Sequence, residues 1–231
     1  MTRHFFVYPS ADPRFGLRCA AKWLERGYEV LMGVDAYETC MERPDGRPMI
    51  WQLPKPWTGY YGPNGINPLI TEAFKRGAEL VTSGGDDQLP PTQGAAEHAD
   101  LYAKRFPDGY GVMQCTGDRQ GEVINGKYNA ERICGSPTFG RAWHERAFGG
   151  RGGLPVGFSS YFADELLKEV AERLGLLYQE PTLVIDHAHH AFGRAQRRTW
   201  HERAQLNWTA DYLTYERVRA DGFKHYLEMF K

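Results

Sequence analysis

The chain has 231 residues, of which 42% are hydrophobic and 25% charged, and a formal net charge of −1. That composition is globular and excludes a disordered tail, and the length allows one large domain or two fused halves with a real core. Near-neutral charge gives no global attraction to nucleic acid, so any such contact must come from a local basic patch.

Cys19, Cys40, Cys115 and Cys134 are widely spaced and form no CxxC pair. This argues against a zinc ribbon or a disulfide scaffold and predicts a reducing, cytoplasmic setting. The start, MTRHFFVYPSADPR, has too short an apolar run for a signal peptide, and no stretch approaches a membrane span, so a soluble protein with no membrane partner is expected.

Residues 4–8 (HFFVY) predict a buried strand, stopped by Pro9. Residues 14–26 carry Leu17, Ala20, Ala21 and Leu24 at helical spacing, and Gly27 ends that helix. Residues 28–34 give a second strand with Asp35 at its end, completing a βαβ unit and hence a parallel pair. A short strand is expected at 49–53, a Pro-, Gly- and aromatic-rich loop at 54–68, and a helix at 67–76 stopped by Gly77. The next strand (Leu80, Val81, Thr82) runs into Gly84-Gly85-Asp86-Asp87-Gln88. A helix at 92–105, a strand at 110–115, a polar loop at 116–129 and a short helix at 142–148 follow. Residues 151–157 read as a flexible, lid-like glycine-rich stretch. An amphipathic helix is expected at 161–174, a last strand at 182–185 and a closing helix at 195–230. Alternating strands and helices predict an α/β fold with a mostly parallel sheet.

Four polar constellations fall at expected strand or helix ends. Adjacent carboxylates repel and are costly to desolvate, so Asp86 and Asp87 together imply a compensating cation. Mg²⁺ and Mn²⁺ prefer oxygen ligands and often bridge carboxylates to substrate phosphates, and ligands of open α/β sheets collect at strand carboxyl ends. Ser10, Arg14 and Asp35 end the first two strands; Arg14 suits a phosphate and Asp35 a base or ribose. Asp186, His187, His189 and His190 follow the last strand without zinc-helix spacing, and at most one or two of the imidazoles can reach one ion. Asp164 and Glu165 open the 161–174 helix, where acids suit the macrodipole and a carboxylate can also deprotonate a hydroxyl.

The order of these motifs resembles the GT-A glycosyltransferases, in particular their inverting, family-2-like branch, over residues 4–193. The matching stretches are VYPSADPR, Val34-Asp35, Asn67-Pro-Leu-Ile-Thr-Glu-Ala, Gly85-Asp86-Asp87-Gln88, Gly135-Ser-Pro-Thr-Phe-Gly-Arg141, Tyr161-Phe-Ala-Asp164-Glu165 and Ile185-Asp186-His187-Ala-His189. Gly85 stands where many relatives carry an acid, and Asp35 lacks their Asp-Gly-Ser continuation.

The resemblance implies a single GT-A-like domain spanning 1–231, with a Rossmann-type nucleotide-sugar half (1–115), an irregular acceptor half (116–193) and a C-terminal helical extension (194–231). It implies a metal-dependent glycosyltransferase that uses Mn²⁺ or Mg²⁺ and a UDP- or GDP-sugar. In that reading Tyr8, Ser10, Arg14, Asp35 and Asp86 line the donor pocket, and Asp87 with His187 or His189 holds the ion. Asp164 or Glu165 then takes the acceptor proton.

The acceptor stays open between a hydroxymethylpyrimidine in DNA, as in phage enzymes, and a cell-surface glycan. For DNA, Arg194, Arg197, Arg198 and Arg203, with Arg141, Arg146 and Arg151, would meet the backbone. Phe139, Trp143 or Phe158 would stack on the flipped base. A sugar-phosphate nucleotidyltransferase is the rival enzyme class, and a non-catalytic binding module the rival outside it.

Overall fold

A computed structural model of the chain describes residues 2–34, 50–52, 63–188, 202 and 204–230. The first half runs β1 (His4–Pro9), α1 (Pro13–Glu25), β2 (Glu29–Val34), β3 (Ile50–Gln52), α2 (Pro63–Lys75), β4 (Leu80–Ser83), β5 (Gln88–Leu89), α3 (Ala95–Arg105) and β6 (Val112–Cys115). Then come α4 (Asn129–Arg132), β7 (Pro137–Gly140), α5 (Arg141–Arg146), α6 (Ala163–Arg173), β8 (Leu177–Glu180), β9 (Asp186–His187), α7 (Trp208–Ala220) and α8 (Lys224–Glu228).

Seven strands form one mixed sheet in the order β3-β2-β1-β4-β7-β6-β8, and β5 pairs with β9 in a separate two-stranded ribbon. Within the sheet only the two pairings made by β7 are antiparallel. The α/β class and the mostly parallel sheet are therefore as the sequence predicts. Strand β1 is buried at every position, as expected of a parallel strand covered on both faces. Its side chains alternate: Phe5 and Val7 join a core with α2, α5 and α6, whereas Phe6 and Tyr8 join a core with α1 and α3. Trp23 from α1 stacks on Phe6 with ring centroids 3.6 Å apart.

Because β7 is reversed, its amino end lies beside the carboxyl ends of β1, β4 and β6. Ser10, the Gly84–Gln88 segment, Asp118 and the Gly135-Ser136 approach to β7 are thereby gathered at one edge of the sheet. Strand direction, rather than proximity in sequence, builds the site.

Several expectations are corrected. Strand β7 was not anticipated: it begins at Pro137 and ends at Gly140, and both residues are poor strand formers. Gly140 is needed there because a Cβ would lie 2.7 Å from the Gly109 carbonyl oxygen. The last sheet strand is β8, not 182–185. Leu183 and Ile185 do fill the core, but Val184 is 43% exposed. Their backbone crosses from the sheet to the ribbon, with Gly117 N–H donating to the Leu183 carbonyl (3.0 Å).

Helix α2 starts at Pro63, earlier than expected. The 151–157 stretch is no free lid: Gly152, Gly153, Leu154 and Pro155 are buried. The Asn67 side chain bonds both the N–H and the carbonyl of Leu154 (3.0 Å each), and Trp143 Nε1 donates to the Gly153 carbonyl (3.0 Å). In the closing segment, the described residues do not form one continuous helix: α7 and α8 are separate. The break at Gly222 (φ 72°) and Phe223 (φ 64°) lets Phe223, 1% exposed, enter the core.

A buried polar chain ties the sheet to α3. His4 Nε2 meets Thr82 Oγ1 (2.8 Å), Thr82 Oγ1 meets Thr138 Oγ1 (2.6 Å), and Thr138 Oγ1 meets His98 Nε2 (3.0 Å). His98 Nδ1 completes it with Tyr28 Oη at 2.9 Å. Burial drives the pKa of His4 down to about 3 and that of His98 well below its ordinary value. Both rings stay neutral in the folded chain, whereas unfolded histidines protonate below about pH 6.5. The unfolded state then binds more protons, so this contribution to stability is complete above pH 6.5 and is lost as pH falls toward the folded values. In that window each neutral ring leaves the unfolded chain binding about one more proton than the folded one. Urea unfolding between pH 6.5 and 4.5 should show the corresponding slope, reduced by about one proton in His98→Gln; an unchanged slope contradicts the neutral-ring assignment.

Candidate functional site

The turn after β4 is shaped by its two glycines. A Cβ on Gly84 would strike the Gln88 side chain and lie 2.9 Å from the Phe6 ring, and one on Gly85 would lie 2.7 Å from Asp87 Oδ1. Only hydrogen at these positions lets Gln88 fold back over the strand end. There its amide accepts from Ser136 Oγ (2.9 Å) and donates to the Gly135 carbonyl (3.2 Å). The Gln88 carbonyl accepts from Trp23 Nε1 (2.9 Å). Asp86 and Asp87 are thus presented from a turn held on both sides.

Asp86 is 4% exposed, and its Oδ2 accepts from Ser10 Oγ at 2.7 Å. Ser10 fits against α1 because residue 16 is glycine; a Cβ there would lie 2.7 Å from Ser10 Oγ. Asp87 faces the ribbon. Gln88 pairs with His187 and Leu89 with Asp186, and Ala188 N–H donates to the Asp87 carbonyl (2.9 Å). This pairing sets His187 Nε2 3.4 Å from Asp87 Oδ1. Asp118, 6% exposed, secures the other side by accepting from the His187 backbone N–H at 3.0 Å. Burial alone lowers the basicity of His187, but its hydrogen bond to Asp87 and the charges of Asp87, Asp118 and Asp164 outweigh it, so the pKa rises. A small cavity of about 20 Å³ adjoins the ring, lined by Gln114, Asp118, Asn129, Ser136 and His187 among others.

Asp164 and Glu165 stand in the first turn of α6. Cys134 N–H donates to the Asp164 carbonyl (3.2 Å), which ties the start of α6 to the segment leading into β7. Burial first, and then the neighbouring Asp164, push the Glu165 carboxyl up to about 10. Its Oε2 is buried with no hydrogen-bond partner among the described residues. Glu165 therefore holds a proton at neutral pH and cannot accept one.

The structure thus brings together Ser10, Asp86, Asp87 and His187, with Asp164 near enough to act on the imidazole. Tyr8 lies beneath them, fully buried, its hydroxyl donating to the Gly16 carbonyl (2.7 Å). Arg14 is exposed on the first turn of α1. Asp35, His189 and the arginines at 194, 197, 198 and 203 lie outside the described residues. Asp118, Gln114 and Ser136 were not anticipated. Nothing in a polar loop marks Asp118, since its hold on His187 exists only once the segment after β6 packs against β9.

A divalent ion fits the Asp87–His187 pair. Two donor atoms 3.4 Å apart are closer than twice a metal–ligand distance of about 2.1 Å, so one ion can touch both. Carboxylate, phosphate and water oxygens suit Mg²⁺ or Mn²⁺, and His187 would add a single nitrogen to such a shell. Among the described residues no group of three His, Cys, Asp or Glu side chains could hold an ion unaided, so the remaining ligands would come from substrate phosphates and water. Among the described residues no helix is long and apolar enough to cross a membrane.

No protein-family model matches the chain, and no curated protein matches it either. Solved structures are similar to it at low identity. S. aureus TarS (1-349) is 11% identical with a TM-score of 0.47, the match covering 80% of this chain and 59% of that one. A197 from STIV is 13% identical with a TM-score of 0.43, covering 80% and 85%. A Drosophila β-1,4-galactosyltransferase 7 mutant in complex with manganese, UDP-Gal and xylobiose is 12% identical with a TM-score of 0.45, covering 88% and 79%. The chain thus spans about three-fifths of the TarS fragment. At these scores, function rests on this chain's own residues.

Proposed function

We propose that the chain is a glycosyltransferase that moves a sugar from a nucleoside-diphosphate sugar to a hydroxyl acceptor with the help of a divalent cation. The observation that carries this reading is the Asp87–His187 pair, 3.4 Å apart across the β5–β9 ribbon at the carboxyl edge of the sheet. Asp87 and His187 would hold the ion, which when bound supplies positive charge against the departing diphosphate. Ser10 and Asp86 hold the adjoining wall, where the nucleoside part of the donor would lie, with Asp35 reading the base. Asp164 would take the acceptor proton as its oxygen bonds the anomeric carbon. The bond from that carbon to the diphosphate oxygen breaks, and the diphosphate leaves with the electron pair.

For the acceptor, the support for a DNA base is thinner than the sequence suggested. Phe139, Trp143 and Phe158 are at most 1% exposed and cannot stack on a flipped base. Arg141 is held by the Phe74 and Ala78 carbonyls, and Arg146 lies over the Tyr110 ring. A glycan hydroxyl and a hydroxymethylpyrimidine in duplex DNA are separated by assaying sugar incorporation into each.

The donor is tested by thermal shift with UDP or GDP, each with and without Mn²⁺. Stabilisation of about 5–10 °C is expected with nucleotide near a hundredfold over its dissociation constant, and only when the ion is present. If neither nucleotide gives an ion-dependent shift, the reading fails.

A further inference from the structure

Asp211 lies in the first turn of α7, within the segment that the family resemblance does not reach, and is only 3% exposed. Its carboxylate accepts three consecutive backbone N–H groups: Oδ1 from Ser159 (2.9 Å), and Oδ2 from Ser160 (2.8 Å) and Tyr161 (2.9 Å). A buried carboxylate is costly unless fully hydrogen-bonded, and charge-assisted bonds to main-chain N–H groups are strong. An acid serving only the α7 dipole would need no such burial. Here all three bonds go to one remote turn.

That turn leads straight into α6. Phe162, the N-cap residue, sits at φ 67°, a left-handed conformation that costs a non-glycine residue about 1–2 kcal/mol. Surrounding structure must therefore hold it, and α7 does so. Tyr215 stacks on Phe162 with centroids 5.4 Å apart, Trp208 meets it edge-on at 5.7 Å, and Asn207 Nδ2 donates to Ser160 Oγ (3.3 Å). Two residues beyond Phe162 stand Asp164 and Glu165. Farther along, Phe223 and Tyr226 bury themselves in the same core as α6, and Tyr226 Oη donates to the Val156 carbonyl (2.7 Å).

We propose that Asp211 is a positioning residue for the Asp164–Glu165 pair: by clamping the 159–161 turn it fixes where the proton acceptor stands and shields Glu165 from water. The catalytic half of this inference rests on the reading of Asp164 as the base. The C-terminal helices become part of the active-site frame instead of an appendage to it.

Asp211→Ala and Asp211→Asn test this in the full chain. Asparagine keeps the volume but turns one acceptor atom into a donor facing N–H groups, and it carries the comparison if the alanine chain does not fold. Three readouts are taken: backbone amide exchange, the Glu165 carboxyl midpoint by ¹³C NMR, and UDP-glucose hydrolysis with Mn²⁺. Exchange at 159–166 should rise at least about tenfold while β1 and β4 keep their protection. The Glu165 midpoint should fall from near 10 toward the ordinary carboxyl range. Hydrolysis should lose kcat at unchanged KM, with the UDP–Mn²⁺ thermal shift retained. Unchanged exchange at 159–166, a rise spread evenly over the chain, or an unmoved Glu165 midpoint would overturn the clamp, and full kcat despite local opening would overturn its catalytic purpose. If the unaltered chain neither binds UDP or GDP with Mn²⁺ nor hydrolyses the sugar nucleotide, the transferase reading falls, while exchange and the carboxyl midpoint still judge the clamp.

Discussion

Asp87→Asn is expected to abolish the joint stabilisation by nucleotide and Mn²⁺ and to slow sugar transfer by about 10²–10³-fold. The amide keeps the size of the side chain but removes the negative charge that would face the ion. Folding should survive. The backbone carbonyl of Asp87, which receives Ala188 N–H, is untouched by the change, and the Asp86–Ser10 bond lies on the neighbouring residue. Ser10→Ala serves as a contrast, since it removes a bond to Asp86 and leaves the Asp87–His187 pair in place. An Asp87→Asn chain that still shifts with UDP or GDP only when Mn²⁺ is present would remove the basis of the proposed function.

Asp164→Asn should lower kcat by about 10²–10⁴-fold, the usual contribution of a positioned base, while the ion-dependent nucleotide shift stays intact. Glu165→Gln should behave differently. Glu165 already carries its proton at pH 7, because burial and the Asp164 charge raise its pKa to about 10, so an uncharged isostere should keep the rate within a few-fold. The same shift has a stability consequence of fixed sign. The folded chain retains a proton that the unfolded chain releases above pH 4.5, so this contribution is complete below that value and is lost as pH rises toward 10. The glutamine chain should therefore be more stable than the unaltered one at pH 8–9 and indistinguishable at pH 4. Denaturant midpoints at the two pH values measure it. If Glu165→Gln proves as inactive as Asp164→Asn, the division of roles within the pair is wrong.

The parts of the fold that could be read from sequence were those whose physics is local. Strands β1 and β2 are buried on both faces and so appear as unbroken apolar runs. Helix α1 has a side-chain cap at Asp12, a proline at its first position and Gly27 (φ 81°) at its end, all of which leave marks in the sequence. Strand β8, LYQE, is largely half-buried and ends in two consecutive polar residues, so the apolar run at 182–185 stood out more than it did. In the site, Asp86 and Asp87 stood out because paired acids after a strand are conspicuous, and His187 because three histidines fall within four residues. Asp118 and Asp211 gave no such signal. One looks like any acid in a polar loop, the other like a dipole-matched acid in a first helical turn, and each acquires its partners only from tertiary structure.

The ribbon has a consequence for synthesis. Its two strands meet through Gln88 and His187, positions that leave the ribosome far apart in time. A nascent polypeptide that has emerged only through β7 contains the carboxylates but lacks the imidazole and the backbone partner that Ala188 supplies. Prematurely terminated copies should accordingly lack the imidazole on which the proposed ion site depends.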